Sequence, residues 1–183
     1  NDFPGAVELQ VGRVDLSQMN VFAESETDLL AAYLERAHAW KTVQFTVPTT
    51  AVVWDNLEWA EYPLATSGYM SAVPCVGIDA VTQLEPSQGQ FHQRYLNYDD
   101  LFTYHASTGL QMATPDGVIF PGTDNGLWDS LLVGNEHGGV FNLSLGSYYG
   151  DWDNTDNFLR AVIAKGNALA HMWSGMPNWY LHH

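Results

Sequence analysis

The sequence predicts an α/β domain, a mostly parallel sheet flanked by helices, and three segments near its end carry that expectation. GVFNLSL (139–145) reads as a buried strand. NFLRAVIA then gives Phe158, Leu159, Ala161, Val162 and Ile163 at helical spacing, and the run 168–173 reads as a further strand. Strand, helix and strand joined by connections of this length form a parallel pair with a right-handed crossover, because a hairpin would need only a few linking residues.

From the start of the chain, 7–16 (VELQVGRVDL) reads as a strand running into a loop at Gly12 and Arg13. A helix follows: Ser25 is a natural N-cap, Glu26 and Asp28 place negative charge in its first turn, and Leu29, Leu30, Tyr33, Leu34 and Ala37 make an apolar face. His38 falls in the last turn, where it caps or packs. Residues 42–47 and 51–54 are short β-rich runs separated by Pro48. The stretch 55–100 holds scattered aromatics and turn signals without a sustained period, and predicts loops with short elements. Order returns at 101–106, an apolar run. A small strand is expected at 118–120 and a helix at 127–133. Asp153 or Asn154 caps the late helix, which stops near Gly166.

A chain of 183 residues with 46% hydrophobic and 13% aromatic content is long and apolar enough for one packed domain, expected over 1–183. The net charge of −15, from 21 acidic against six basic residues, argues against nucleic acid, since phosphates are neutralised by clustered Lys and Arg. It suits divalent cations or an extracellular, saline setting. No run approaches the roughly 20 apolar residues of a transmembrane span. Cys75, the only cysteine, lies in an apolar stretch and reads as a buried, inert thiol.

In parallel α/β sheets, functional side chains gather where strands end. Two such ends are conspicuous: FTYHAS, which carries His105, and NLSLGSYYGDWD, which carries Ser147. A histidine 42 positions ahead of a nucleophile is close to the roughly 50 of a caspase-type pair.

On these residues the chain resembles gingipain-type, caspase-like cysteine peptidase domains. VGRVDLSQM is similar to that family's Gly-Arg segment, and YHAST stands where it carries Gly-His-Gly. SYYGDWD matches its Cys-x-x-Gly-Asp-aromatic motif, with Ser147 in the cysteine's place. The helix and strand that follow, and the segments GSYYGDWDNTDNFLRA and MPNWYLHH, resemble a bacterial group of large secreted proteins with such domains. The likeness is good over 102–183, fair over 7–40 and thin between.

The resemblance implies a caspase-like fold, here a partial or processed domain of a longer precursor that is secreted or on the cell surface. It makes His105 and Ser147 the dyad-equivalent positions, and Ala106 and Ser147 the oxyanion-equivalent ones. Three departures imply lost cysteine peptidase activity. A serine hydroxyl is a weak nucleophile without an oriented base, Ala106 adds a Cβ where the family has glycine, and Tyr104 replaces another glycine. What remains is a role in binding or extracellular assembly, with a protein partner or a second copy of the chain.

Two alternatives stay open. Ser147 and His105 can serve a hydrolase if a carboxylate orients the imidazole, the candidates being Asp99, Asp100 and Glu136. Asp151, Asp153 and Asp156 are closely spaced oxygen donors of the kind Ca²⁺ takes, which would make the chain a calcium-stabilised structural module. The same carboxylates cap a helix with no metal at all. His92, His137, His171, His182 and His183 show no metal-ligand spacing. Trp128, Trp152, Trp173 and Trp179 suit a sugar or peptide groove as well as a core.

Overall fold

A computed structural model describes residues 12–55, 66–84, 99–106, 138–145, 156 and 158–172. Residues 12–16 have no regular structure, and the rest of the strand expected over 7–16 lies outside the described residues.

Helix α1, Glu26–Lys41, starts where the sequence places it. Ser25 Oγ accepts from the Asp28 N–H at 3.3 Å while the Asp28 carboxylate accepts from the Ser25 N–H at 3.3 Å, a reciprocal capping box. His38 and Lys41 sit in the last turn, favourably for the helix dipole. The inward stripe is narrower than expected. Leu29 is buried and Tyr33, Arg36 and Ala37 are half-buried, but Leu30 and Leu34 face outward. One residue is a turn of 100°, which carries each of these leucines past the core-facing stripe.

The expected strand at 42–47 is absent. The N–H groups of Gln44 and Phe45 fold back onto the Ala39 carbonyl at 2.8 and 3.2 Å, with Val43 at φ 59°. This tight reversal seats Phe45 edge-on against Trp40, ring centroids 5.7 Å apart. The aromatic contact and the satisfied helix C-terminus outweigh β propensity.

Strand β1 is Ala51–Asp55, in place of the expected 51–54. The unreadable stretch that follows contains helix α2 (Thr66–Val76), a short 3₁₀ turn (Ile78–Ala80) and strand β2 (Val81–Leu84). Strand β3 (Phe102–Ala106), strand β4 (Phe141–Leu145), helix α3 (Phe158–Ala164) and strand β5 (Ala170–Met172) agree with the sequence to within two or three residues. Gly166, at φ +77°, takes the left-handed conformation just past α3 that stops a helix. The segments 118–120 and 127–133, and the caps proposed at Asp153 and Asn154, lie outside the described residues.

The sheet order is β2-β1-β3-β4-β5, every pair parallel. Helix α2 packs on β1, β2 and β3, and Gly68 lies directly on the Tyr104 ring. The other face is covered by α1 and α3. There Val52 and Leu84 join Leu16, Met19, Phe22, Leu29, Ala161, Val162 and Ala164 in the core. Along β1, Val52 packs into this layer and Val53 towards α2, the alternation of a central strand covered on both faces. Cys75 is exposed on α2, its thiol donating to the Ser71 carbonyl at 3.5 Å, which corrects the buried thiol expected from its apolar neighbours. The inward positions of that helix are Gly68 and Ala72.

Candidate functional site

The chain passes from β1 through α2 to β2 on one side, then returns to lay β3 on the other side of β1. Such a reversal leaves a crevice beyond the carboxyl ends of the two strands, the usual ligand site of an open α/β sheet. His105 and Ala106 are the last two residues of β3. His105 is in register with Trp54 of β1 and Ser144 of β4, and Ala106 with Asp55 and Leu145. Ser147 follows two residues beyond the end of β4, outside the described residues, as do Glu136, Asp151 and Asp153.

The two nearest carboxylates offered as orienters of His105 are at the wrong end. Asp99 and Asp100 precede β3, so five residues of extended chain, roughly 16 Å, separate Asp100 from His105. Asp99 instead accepts from Asn167 Nδ2 at 2.8 Å. Asp100 is buried, and desolvation holds its carboxyl above the usual range, with a hydrogen bond from Thr50 opposing and the Asp99 charge adding. Asp156 stands on an interlocked loop. Its N–H donates to the Gln18 carbonyl at 3.0 Å and its Oδ1 accepts from the Val21 N–H at 2.9 Å, with φ 53°. Among the described residues, no group of three or more His, Cys, Asp or Glu side chains converges as a metal site.

The described hydroxyl on β4 with an imidazole partner is Ser144. Its Oγ lies 3.1 Å from His171 Nε2, on the neighbouring strand β5. The other ring nitrogen, Nδ1, lies 3.2 Å from the Leu159 carbonyl at the start of α3. A carbonyl only accepts, so the Leu159 contact requires a proton on Nδ1. Sequence reading passed over this pair because it weighed His171 for metal spacing alone. The signal was the period of two in FNLSL, which sets Asn142 and Ser144 on one face with β5 alongside.

His171 also lines an open cavity of about 160 Å³ together with Gly12, Arg13, Val14 and Leu159. This wall is held by long-range bonds. Arg160, 2% exposed, donates from Nη1 to the Ser17 carbonyl at 2.6 Å, and Asp15 Oδ1 lies 3.8 Å from the same nitrogen. Asp15 in turn accepts from the N–H and Oγ of Ser17 and from Arg13 Nη2. From α1, Arg36 donates to the carbonyls of Ile163 and Ala168 at 2.6 and 3.0 Å, and the Tyr33 hydroxyl donates to that of Leu169 at 3.0 Å. The backbone leading into His171 is thereby fixed.

A larger cavity, about 250 Å³, lies on the opposite face between α2 and the sheet, walled by Val53, Gly68, Ala72, Cys75, Phe102 and Tyr104. Its lining is mainly apolar.

Comparison of the chain with known protein families, with curated proteins and with solved structures gave no match.

Proposed function

We propose that this chain is a caspase-like, peptidase-type domain of a secreted or surface protein that has exchanged cysteine proteolysis for binding or extracellular assembly. The observation that supports the reading is the adjacency of β3 and β4. They are parallel, hydrogen-bonded neighbours whose last residues are Ala106 and Leu145, so the strand bearing His105 and the strand leading to Ser147 end side by side. The sheet's chain reversal at β1 and β3 puts the same edge where ligands of such sheets bind. An alcohol at 147 lacks the thiol's reference pKa of about 8.5 and its intrinsic nucleophilicity, which leaves recognition without thiol chemistry.

The test restores the thiol in a background free of the exposed natural one, as Cys75→Ser with Ser147→Cys. Labelling by a peptidyl electrophile that appears with the new cysteine, and disappears on adding His105→Ala, is the outcome expected of a converted peptidase site. Sedimentation velocity across a hundredfold range of protein concentration reads the assembly role directly. A new thiol no more reactive than free cysteine, in a chain that stays monomeric throughout, ends the proposal.

A further inference from the structure

We infer that the cavity between α2 and the sheet is a binding site for a small, uncharged aromatic molecule of one or two rings. It uses the first three residues of β1 and of β3, so it sits apart from the crevice beyond their carboxyl ends.

The cavity follows from the sequence of α2. Gly68, Ala72 and Cys75 fall at i, i+4 and i+7, one stripe of the helix, and all three are small. Gly68 seats the helix on the Tyr104 ring. One and two turns further on, the methyl of Ala72 and the thiol of Cys75 are too short to fill the space above Val53, Phe102 and Leu143.

The two faces of the sheet also differ in cover. On the α1 and α3 face, the row Val52, Thr103 and Asn142 is 2% exposed throughout. On the α2 face, Phe102, Tyr104 and Leu143 are only half-buried, although β3 and β4 are interior strands. Topology explains the difference. Right-handed crossovers that step in opposite directions use opposite faces, and among the described strands only the step from β1 to β2 runs in the direction served by α2.

The floor sets the class of ligand. Its rows are Ala51 with Phe102, and Val53 with Tyr104 and Leu143. They lie roughly 7 Å apart along the strands and span roughly 10 Å across three of them, the footprint of two fused rings. The volume of about 250 Å³ agrees, since an apolar cavity of roughly 150 Å³ holds one benzene. The rings of Phe102 and Tyr104 and the Cys75 sulfur favour an aromatic guest over an alkyl chain. Among the described walls no side chain is charged, and the chain carries −15, so a carboxylate finds no counter-ion and is repelled.

The experiment is calorimetric titration of the full chain with indole and, separately, with indole-3-carboxylate. Indole is expected to fill one saturable site and the carboxylate none. Ala72→Leu, which occupies the space from the helix side, should weaken indole at least about tenfold. Cys75, the single cysteine and a wall residue, locates the site without a change to the walls. Bound indole should slow the reaction of its thiol with N-ethylmaleimide, with a half-effect concentration equal to the calorimetric Kd. Should Ala72→Leu fail to fold, the thiol measurement decides. Absence of saturable indole binding, equal affinity for the carboxylate, binding that leaves the thiol rate unchanged, or undiminished affinity in a folded Ala72→Leu protein each overturns the inference. All are read at one protein concentration, so the assembly reading, judged by sedimentation, stands or falls separately.

Discussion

Arg160, on α3, donates a 2.6 Å hydrogen bond to the carbonyl of Ser17, 143 positions earlier in the chain. With Asp15 close by, this segment supplies partners for the Nη1 end of a buried guanidinium.

Truncating that side chain leaves the Ser17 carbonyl without its buried donor and removes the positive charge beside the Asp15 carboxylate. Arg160→Ala is expected to lose about 3 kcal/mol of stability, read as a lower denaturant midpoint. Arg160→Lys should recover only part of it, because one ammonium cannot reproduce the planar fork.

Gly68 admits no side chain while Tyr104 lies on it. Gly68→Ala is expected to cost roughly 1–3 kcal/mol by overpacking. In combination with Tyr104→Ala the two losses should be clearly less than additive, since the added methyl then has room. Additive losses would mean that the helix is not seated on that ring.

At the start of α1, Ser25→Ala removes the acceptor for the Asp28 N–H. A loss of about 1 kcal/mol is expected. Asp28→Asn should lose less, since an amide oxygen still accepts from the Ser25 N–H. Thermal denaturation of the two variants checks the order.

The Asp100 carboxyl is held above its ordinary value of 3.8, desolvation being the first cause. Between the unfolded pKa and the raised folded one, the native state binds more protons than the unfolded state. Stability therefore falls as pH rises through that window. Below both values the group is neutral in either state and contributes no penalty. Asp100→Asn, whose amide oxygen can still accept from Thr50, should abolish this part of the pH dependence and be the more stable protein at neutral pH. Wild-type and variant stability curves that run parallel from pH 4 to 7 would rule the effect out.

The parallel sheet was legible because β3, β4, α3 and β5 each keep one period throughout, and their connections are too long for hairpins. The capping box was legible because it is purely local. The elements missed were those whose local signals conflict. Helix α2 contains Gly68 and Pro74, both helix breakers by propensity, and forms because Gly68 and Ala72 let it lie close on the sheet. The strand expected at 42–47 failed through a local reversal that brings Phe45 back onto Trp40, a ring itself seated against Phe141 of β4, a partner that no local window of sequence contains. At the site, His105 and Ala106 end β3 as the motif suggested, whereas Asp99 and Asp100 proved to be at the opposite strand end. The Ser144 and His171 pair joins residues 27 positions apart on two strands, a juxtaposition set by register rather than by any spacing a motif records.

The interlocking of residues 15–21 with 156–160 has a consequence for biosynthesis. Bonds spanning some 130 to 140 positions cannot close on a ribosome until the later partner has emerged, so the early segment waits through most of the domain's synthesis. The cavity beside His171, whose walls draw on residues within 12–14 and 159–171, is therefore among the last features of the domain to be completed.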